Sequence, residues 1–71
     1  MKYQTLTSTA SRIVDRIDLV VEIVKDTAEL LEANKESLPE NELTKARMII
    51  ERLLELTDQT TQTTYKLLDI L

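Results

Sequence analysis

Ser37-Leu38-Pro39-Glu40 contains the only proline of the chain and is its one clear interruption. The chain has no glycine. Sheets need tight turns, and tight turns are built on Gly or on Asn-Gly and Asp-Gly pairs; none occurs here. The layout is therefore helix, short turn, helix. Ser37 and Glu40 have capping-box spacing, which lets hydroxyl and carboxylate each take a backbone N–H at the start of the second helix. Pro39 then falls in the first helical turn, where its missing N–H does no harm. Asn34 is the best residue available for a left-handed exit from the first helix. A connection this short makes the helices antiparallel neighbours. The expected limits are a helix over about 8–35, a turn over about 35–38 and a helix over about 38–71, within one all-α hairpin domain spanning residues 1–71.

Outward from the turn, both arms carry a heptad pattern. In the first arm Leu6, Ala10, Ile13, Ile17, Val20, Val24, Thr27, Leu31, Asn34 and Leu38 alternate in steps of four and three. Val14, Val21 and Ala28 flank that seam on one side, Ile23 and Leu30 on the other. In the second arm Leu43, Ala46, Ile50, Leu53, Thr57, Thr60, Thr64, Leu67 and Leu71 repeat the pattern. Ile49, Leu56 and Ile70 flank it on one side, Leu54 and Leu68 on the other. Each helix would run to about 28–34 residues, or roughly 40–50 Å.

Apolar faces this wide suit helices with two or more neighbours. A hairpin alone would leave a strip of Val, Ile and Leu in water, more than monomers usually tolerate. Two antiparallel hairpins would close the strip as a four-helix bundle. Burying about ten such side chains, at roughly 1.5–3 kcal/mol each, would dominate the energetics before chain entropy is subtracted. The expected partner is a second copy in a homodimer, or a different helical protein. The residues expected at the interfaces are Ile13, Ile17, Val20, Val21, Val24, Leu31, Ile49, Ile50, Leu53, Leu54, Leu56 and Leu67.

Composition narrows the function. The 71 residues include neither Cys nor His, which removes disulfides, thiolate or imidazole metal sites and a phospho-accepting histidine. Small chains commonly need such staples or a partner, which leaves very good helix packing or a partner chain. The net charge of −4 and the lack of a basic patch argue against nucleic acid. No apolar run approaches the roughly 18 residues that span a bilayer; Leu19-Val20-Val21 is cut by Asp18 and Glu22. Met-Lys-Tyr-Gln-Thr lacks the apolar core of a signal peptide, so a cytoplasmic protein without membrane insertion is expected. No Gly-rich phosphate loop, nucleophile–base pair or metal-ligand spacing occurs, and no cofactor is expected. Ser8, Ser11 and Ser37 read as cap and turn residues.

Three features stand out from this background. Thr57, Thr60 and Thr64 occupy seam positions where Leu or Ile would be expected. Thr is a mediocre helix former whose hydroxyl needs a partner when buried. The ordinary expectation is a bond from each hydroxyl to the carbonyl one turn back; the alternative is a deliberately weak layer that sets register or admits a partner. The outer stripe of the first helix, Asp15, Asp18, Glu22, Lys25, Glu29, Glu32 and Glu36, is acidic but for one Lys, as expected of a solvated face. The outer stripe of the second is Met48, Glu51, Glu55, Asp58, Gln62, Tyr65 and Asp69. Its apolar members Met48 and Tyr65, with Leu19 of the first helix, form a possible partner surface.

Asp58-Gln59-Thr60-Thr61-Gln62, followed by Lys66-Leu67-Leu68-Asp69-Ile70-Leu71, resembles the active-site segment of the chemotaxis phosphatase family CheZ. In that family an Asp and a Gln one helical turn apart lie on the outside of a four-helix bundle. The resemblance implies that Gln62 would orient a water against the phospho-aspartate of a response regulator while Asp58 helps dock it. It covers residues 58–71, and Thr61 stands where the family has Gly. Two functions are thus carried forward. One is a non-enzymatic helical interaction protein: an adaptor, chaperone-like subunit or inhibitor. The other is a response-regulator phosphatase using Asp58 and Gln62, which would need both outside the bundle with open space around them.

Overall fold

A computed structural model describes residues 3–71. Two helices, α1 (Gln4–Ala33) and α2 (Glu40–Ile70), are joined by a short 3₁₀ turn (Lys35–Ser37) and pack against each other as a helical hairpin. At 30 and 31 residues each helix is about 45 Å long, in keeping with overall Cα dimensions of 56 × 15 × 10 Å.

Helix α1 begins at Gln4, ahead of the expected start near Ser8, with Tyr3 as an N-cap that makes no side-chain capping bond. Thr7 is half-buried, so packing holds the first turn despite the modest propensity of its threonines. The turn also differs from expectation. Asn34 does not exit left-handed: its φ is −108°, and no described residue has positive φ. Its backbone N–H is instead shared between Leu30 O and Leu31 O, and its Nδ2 donates to Leu30 O at 2.7 Å. The chain then tightens through Ser37 N to Asn34 O (2.9 Å) and Leu38 N to Lys35 O (3.3 Å). Leu38 is extended, at φ −114° and ψ 141°, as the residue before a proline tends to be. The Ser37–Glu40 capping box does not form; Pro39 itself is the N-cap and its carbonyl accepts from Leu43 N at 3.0 Å. Glu40 and Glu42 in the first turn complement the positive end of the helix dipole. A 3₁₀ turn followed by an extended Leu-Pro step thus reverses the chain without glycine.

The α1 ridge that packs on α2 is Thr7, Ala10, Val14, Ile17, Val21, Val24, Ala28 and Leu31, with Ala10 and Val24 buried and the rest half-buried; that of α2 is Leu43, Ala46, Ile50, Leu54, Thr57, Thr61, Thr64 and Leu68, continued by Leu71, with Leu43, Thr57 and Thr64 buried and the rest half-buried. About half of the expected α1 seam and two thirds of the expected α2 seam are therefore in place, and the rest is shifted by one residue. Val14, Val21 and Ala28 replace Ile13, Val20 and Thr27, while Leu54, Thr61 and Leu68 replace Leu53, Thr60 and Leu67. Each broad apolar face offers two flanks, and one neighbouring helix can cover only one. In α1 the covered flank is the one with the smaller side chains, which lets the helices approach closely.

The hairpin does not close a core. Ala10, Val24 and Leu43 are its buried apolar residues, and no large side chain among the described residues is fully buried. The radius of gyration is 16.6 Å, against about 11 Å for a compact chain of this length. The accessible surface is 5843 Å², against about 4,500 Å² for a compact monomer of this mass.

Candidate functional site

Glu32 and Arg47 show which way the hairpin faces. Arg47 donates from Nε to Glu32 Oε1 at 2.6 Å and from Nη2 to Oε2 at 2.7 Å, bridging the helices on one side of the buried seam. These bonds hold the Glu32 carboxyl below the usual carboxylate range and raise the Arg47 guanidinium further, with desolvation opposing both. At about 100° per residue, Asp18, Glu22, Lys25 and Glu29 of α1 and Glu40, Glu51, Asp58, Gln62, Tyr65 and Asp69 of α2 lie on that same side. This is the solvated acidic face.

Turning the other way round both helices reaches Leu6, Ile13, Val20, Ile23 and Leu30 of α1, then Ile49, Leu53, Leu56, Leu67 and Ile70 of α2. All ten are exposed. Since both sets lie opposite the Glu32–Arg47 bridge, they form a single apolar face running the length of the hairpin. Arg12, Lys45 and Arg52 border it, and Arg16, at the helical position of Ile23 and Leu30, lies within it. Of the twelve expected interface residues, Ile17, Val21, Val24, Leu31, Ile50 and Leu54 pack between the two helices. Ile13, Val20, Ile49, Leu53, Leu56 and Leu67 lie on the open face. Leu6, Ile23, Leu30 and Ile70 belong to the same face and were not among the twelve. Their signal was present as seven-residue spacing, 6-13-20 and 23-30 in α1 and 49-56-63-70 in α2, beside the seam.

Two shallow grooves indent this face on the half away from the turn. One, about 330 Å³, is lined by Thr9, Arg12, Ile13, Arg16 and Ile17. The other, about 350 Å³, is lined by Leu56, Gln59, Thr60, Thr63, Thr64 and Leu67. Each contains a diamond at i, i+3, i+4 and i+7: Thr9-Arg12-Ile13-Arg16 in α1 and Thr60-Thr63-Thr64-Leu67 in α2. That is the four-residue hole into which a coiled-coil knob inserts.

The threonine belt divides between the two surfaces. Thr57 and Thr64 are buried, at 8% and 6% exposure; their hydroxyls donate to Leu54 O at 2.9 Å and Thr60 O at 2.7 Å. Each hydroxyl is thus satisfied one turn back, and the side chains fill the seam. Thr60 donates in the same way to Leu56 O at 2.8 Å, but it is exposed on the open face rather than in the seam.

On the acidic face Gln62 Nε2 donates to Asp58 Oδ2 at 3.1 Å, and both residues are exposed. The bond occupies one amide hydrogen and leaves Oε1 free of any bond to Asp58. Leu19, Met48 and Tyr65 are exposed as well, but the structure does not gather them. Leu19 points outward from α1, whereas Met48, at the helical position of Gln62 and Asp69, and Tyr65 lie toward the acidic face about 25 Å apart along α2. No helix of the described residues is long and apolar enough to cross a membrane. The chain matches no family model, no curated protein and no solved structure.

Proposed function

We infer that the chain is a non-enzymatic interaction protein, an adaptor, chaperone-like subunit or inhibitor, that packs its open apolar face on another helical surface and so completes a four-helix bundle. The observation that carries this is the single face formed by ten large aliphatic side chains, exposed on one side of the hairpin. Exposed apolar area of that extent, continuous and bordered by polar residues, marks an association surface. The reading takes the protein as cytoplasmic, in keeping with the lack of any described helix able to cross a membrane. Its test is the double variant Ile49→Glu, Leu53→Glu. Both residues lie on the open face and outside the seam, so association should be lost while helicity by circular dichroism survives at high concentration. Association unchanged in this variant would contradict the reading.

Asp58 and Gln62 favour one other function. They are solvent-exposed, one turn apart and on the face away from the apolar surface, where a bundle would leave them uncovered. The phosphatase therefore stands as the second reading, tested by phosphate release as described below.

A further inference from the structure

We propose that the occupant of the apolar face is a second copy of this chain, laid face to face with its turn at the opposite end, so that α1 lies on α1 and α2 on α2. The proposal rests on the interaction reading above and adds the partner and the geometry.

The first support is area. The surface exceeds that of a compact monomer by about 1,300 Å², and a face of 56 × 15 Å is about 800 Å². That is the share each partner contributes to a stable interface of standard size. A second hairpin offers a face of identical length and width.

The second support is shape. The half of the face near the turn carries Ile23, Leu30 and Ile49, at 63%, 65% and 61% exposure, while Ile70, at 82%, projects at the far end of the other half. The other half carries the two threonine-containing grooves. A twofold axis across the hairpin brings each half onto the other. Seating Ile23 in the α1 groove of the second copy, centred between Arg12 and Ile13, puts the axis level with Asp18. Seating Ile49 in the α2 groove, centred between Thr63 and Thr64, puts it level with Leu56. Asp18 is 15 residues before the end of α1 at Ala33, and Leu56 is 16 residues after the start of α2 at Glu40. The two helices thus return the same axis independently. With the turns at the same end, α1 would lie on α2 of the second copy. Ile23 would then meet the region of Ile49 and Leu53, knob on knob, and the grooves would face each other.

Charge is a weaker support. With opposed turns, Arg12 at the rim of α1 comes within two residues, about 3 Å, of the level of Asp26 at the rim of the other α1, twice by symmetry, while Arg16, two residues from the axis, comes near its own copy. With turns together Arg12 meets Gln59 and Thr63, and no carboxylate.

The chain has no cysteine, so single introduced thiols report the geometry cleanly. Leu56→Cys lies beside the proposed axis and should form an intermolecular disulfide on mild oxidation. Its yield should exceed that of Met48→Cys, which points away from the face, on the order of tenfold through effective concentration. A mixture of Ile23→Cys and Ile13→Cys chains should cross-link as the mixed pair. A dimer in the ultracentrifuge that instead cross-links Ile23→Cys to Leu53→Cys, and not Leu56→Cys to itself, would overturn the arrangement while leaving the interaction reading standing. A folded monomer at about 100 μM, or a monomer recruited to phosphatidylserine vesicles, would overturn self-pairing. The interaction reading itself then stands or falls on the Ile49→Glu, Leu53→Glu variant.

Discussion

Replacing Thr57 and Thr64 together by Val should stabilise the protein. Both side chains are buried in the seam between α1 and α2. Each hydroxyl bonds a carbonyl, Leu54 O or Thr60 O, inside a continuous helix where that carbonyl also accepts from a backbone N–H. Removing the hydroxyl therefore leaves no buried acceptor orphaned, and the loss is one net hydrogen bond of about 0.5–1.5 kcal/mol. Against it stands a buried methyl in place of the hydroxyl, about 0.8 kcal/mol; polar desolvation is already contained in the net hydrogen-bond figure. Thr and Val have nearly equal helix propensity, so the backbone term cancels. Back-bonding to a carbonyl one turn earlier lies at the weak end of the range, so the balance is about 0.3 kcal/mol per site, or about 0.6 kcal/mol for the pair, and should raise Tm by roughly 2–5 °C for a chain of this size. Thermal melts by circular dichroism at matched concentration measure it. A fall in Tm of the same size would refute the reasoning, because the hydroxyls would then be making bonds stronger than ordinary back-bonding.

Three residues and one ion pair give further tests. Leu54→Ala removes a half-buried seam side chain and should destabilise by about 1–3 kcal/mol in urea melts, below the full range for a closed core. Leu53→Ala truncates the open face, and its cost should grow with chain concentration because it weakens only the assembled form. Glu32→Gln should reduce the acid sensitivity of stability. The folded-state pKa of Glu32 is depressed by Arg47, so the stabilisation it brings is present above the unfolded value of about 4.3 and is lost as pH falls through the folded value. Urea midpoints from pH 6 down to about pH 3 should fall further for the parent than for the variant, by a small margin because the pair is exposed. The chain should not accelerate phosphate release from a phosphorylated response regulator of its host. Acceleration that disappears in Gln62→Ala, a substitution an exposed helix position tolerates well, would replace the interaction reading with the phosphatase.

Leu38-Pro39 and the lack of glycine made the hairpin legible from sequence, since they leave one place for the chain to turn and no means of building a sheet. The manner of turning was less legible. Ser37 and Glu40 have the spacing of a capping box, but the extended Leu38-Pro39 step starts α2 without it. The width of the apolar faces was also readable. Their division was not, because Val14, Val21 and Ala28 on one flank compete with Ile13, Val20 and Thr27 on the other. Hydrophobic period alone weights the two nearly equally. What separates them is three-dimensional: the smaller flank of α1 is the one α2 covers, and the Glu32–Arg47 bridge, 15 residues apart in sequence, closes that side. The bulkier flank of α1 is left for the open face. For the same reason Thr57 and Thr64 belong to the seam while Thr60, between them, belongs to the other surface. Asp58 and Gln62 were readable as an outward pair, since their spacing needs only the helix period.

Sedimentation equilibrium of the pure chain, across about 1–100 μM, tests the central claim most directly. With its apolar face covered by a second copy, the chain should sediment at twice its formula mass at the upper end and shift toward a single chain on dilution. A well-folded monomer of unchanged helicity throughout that range would contradict the account.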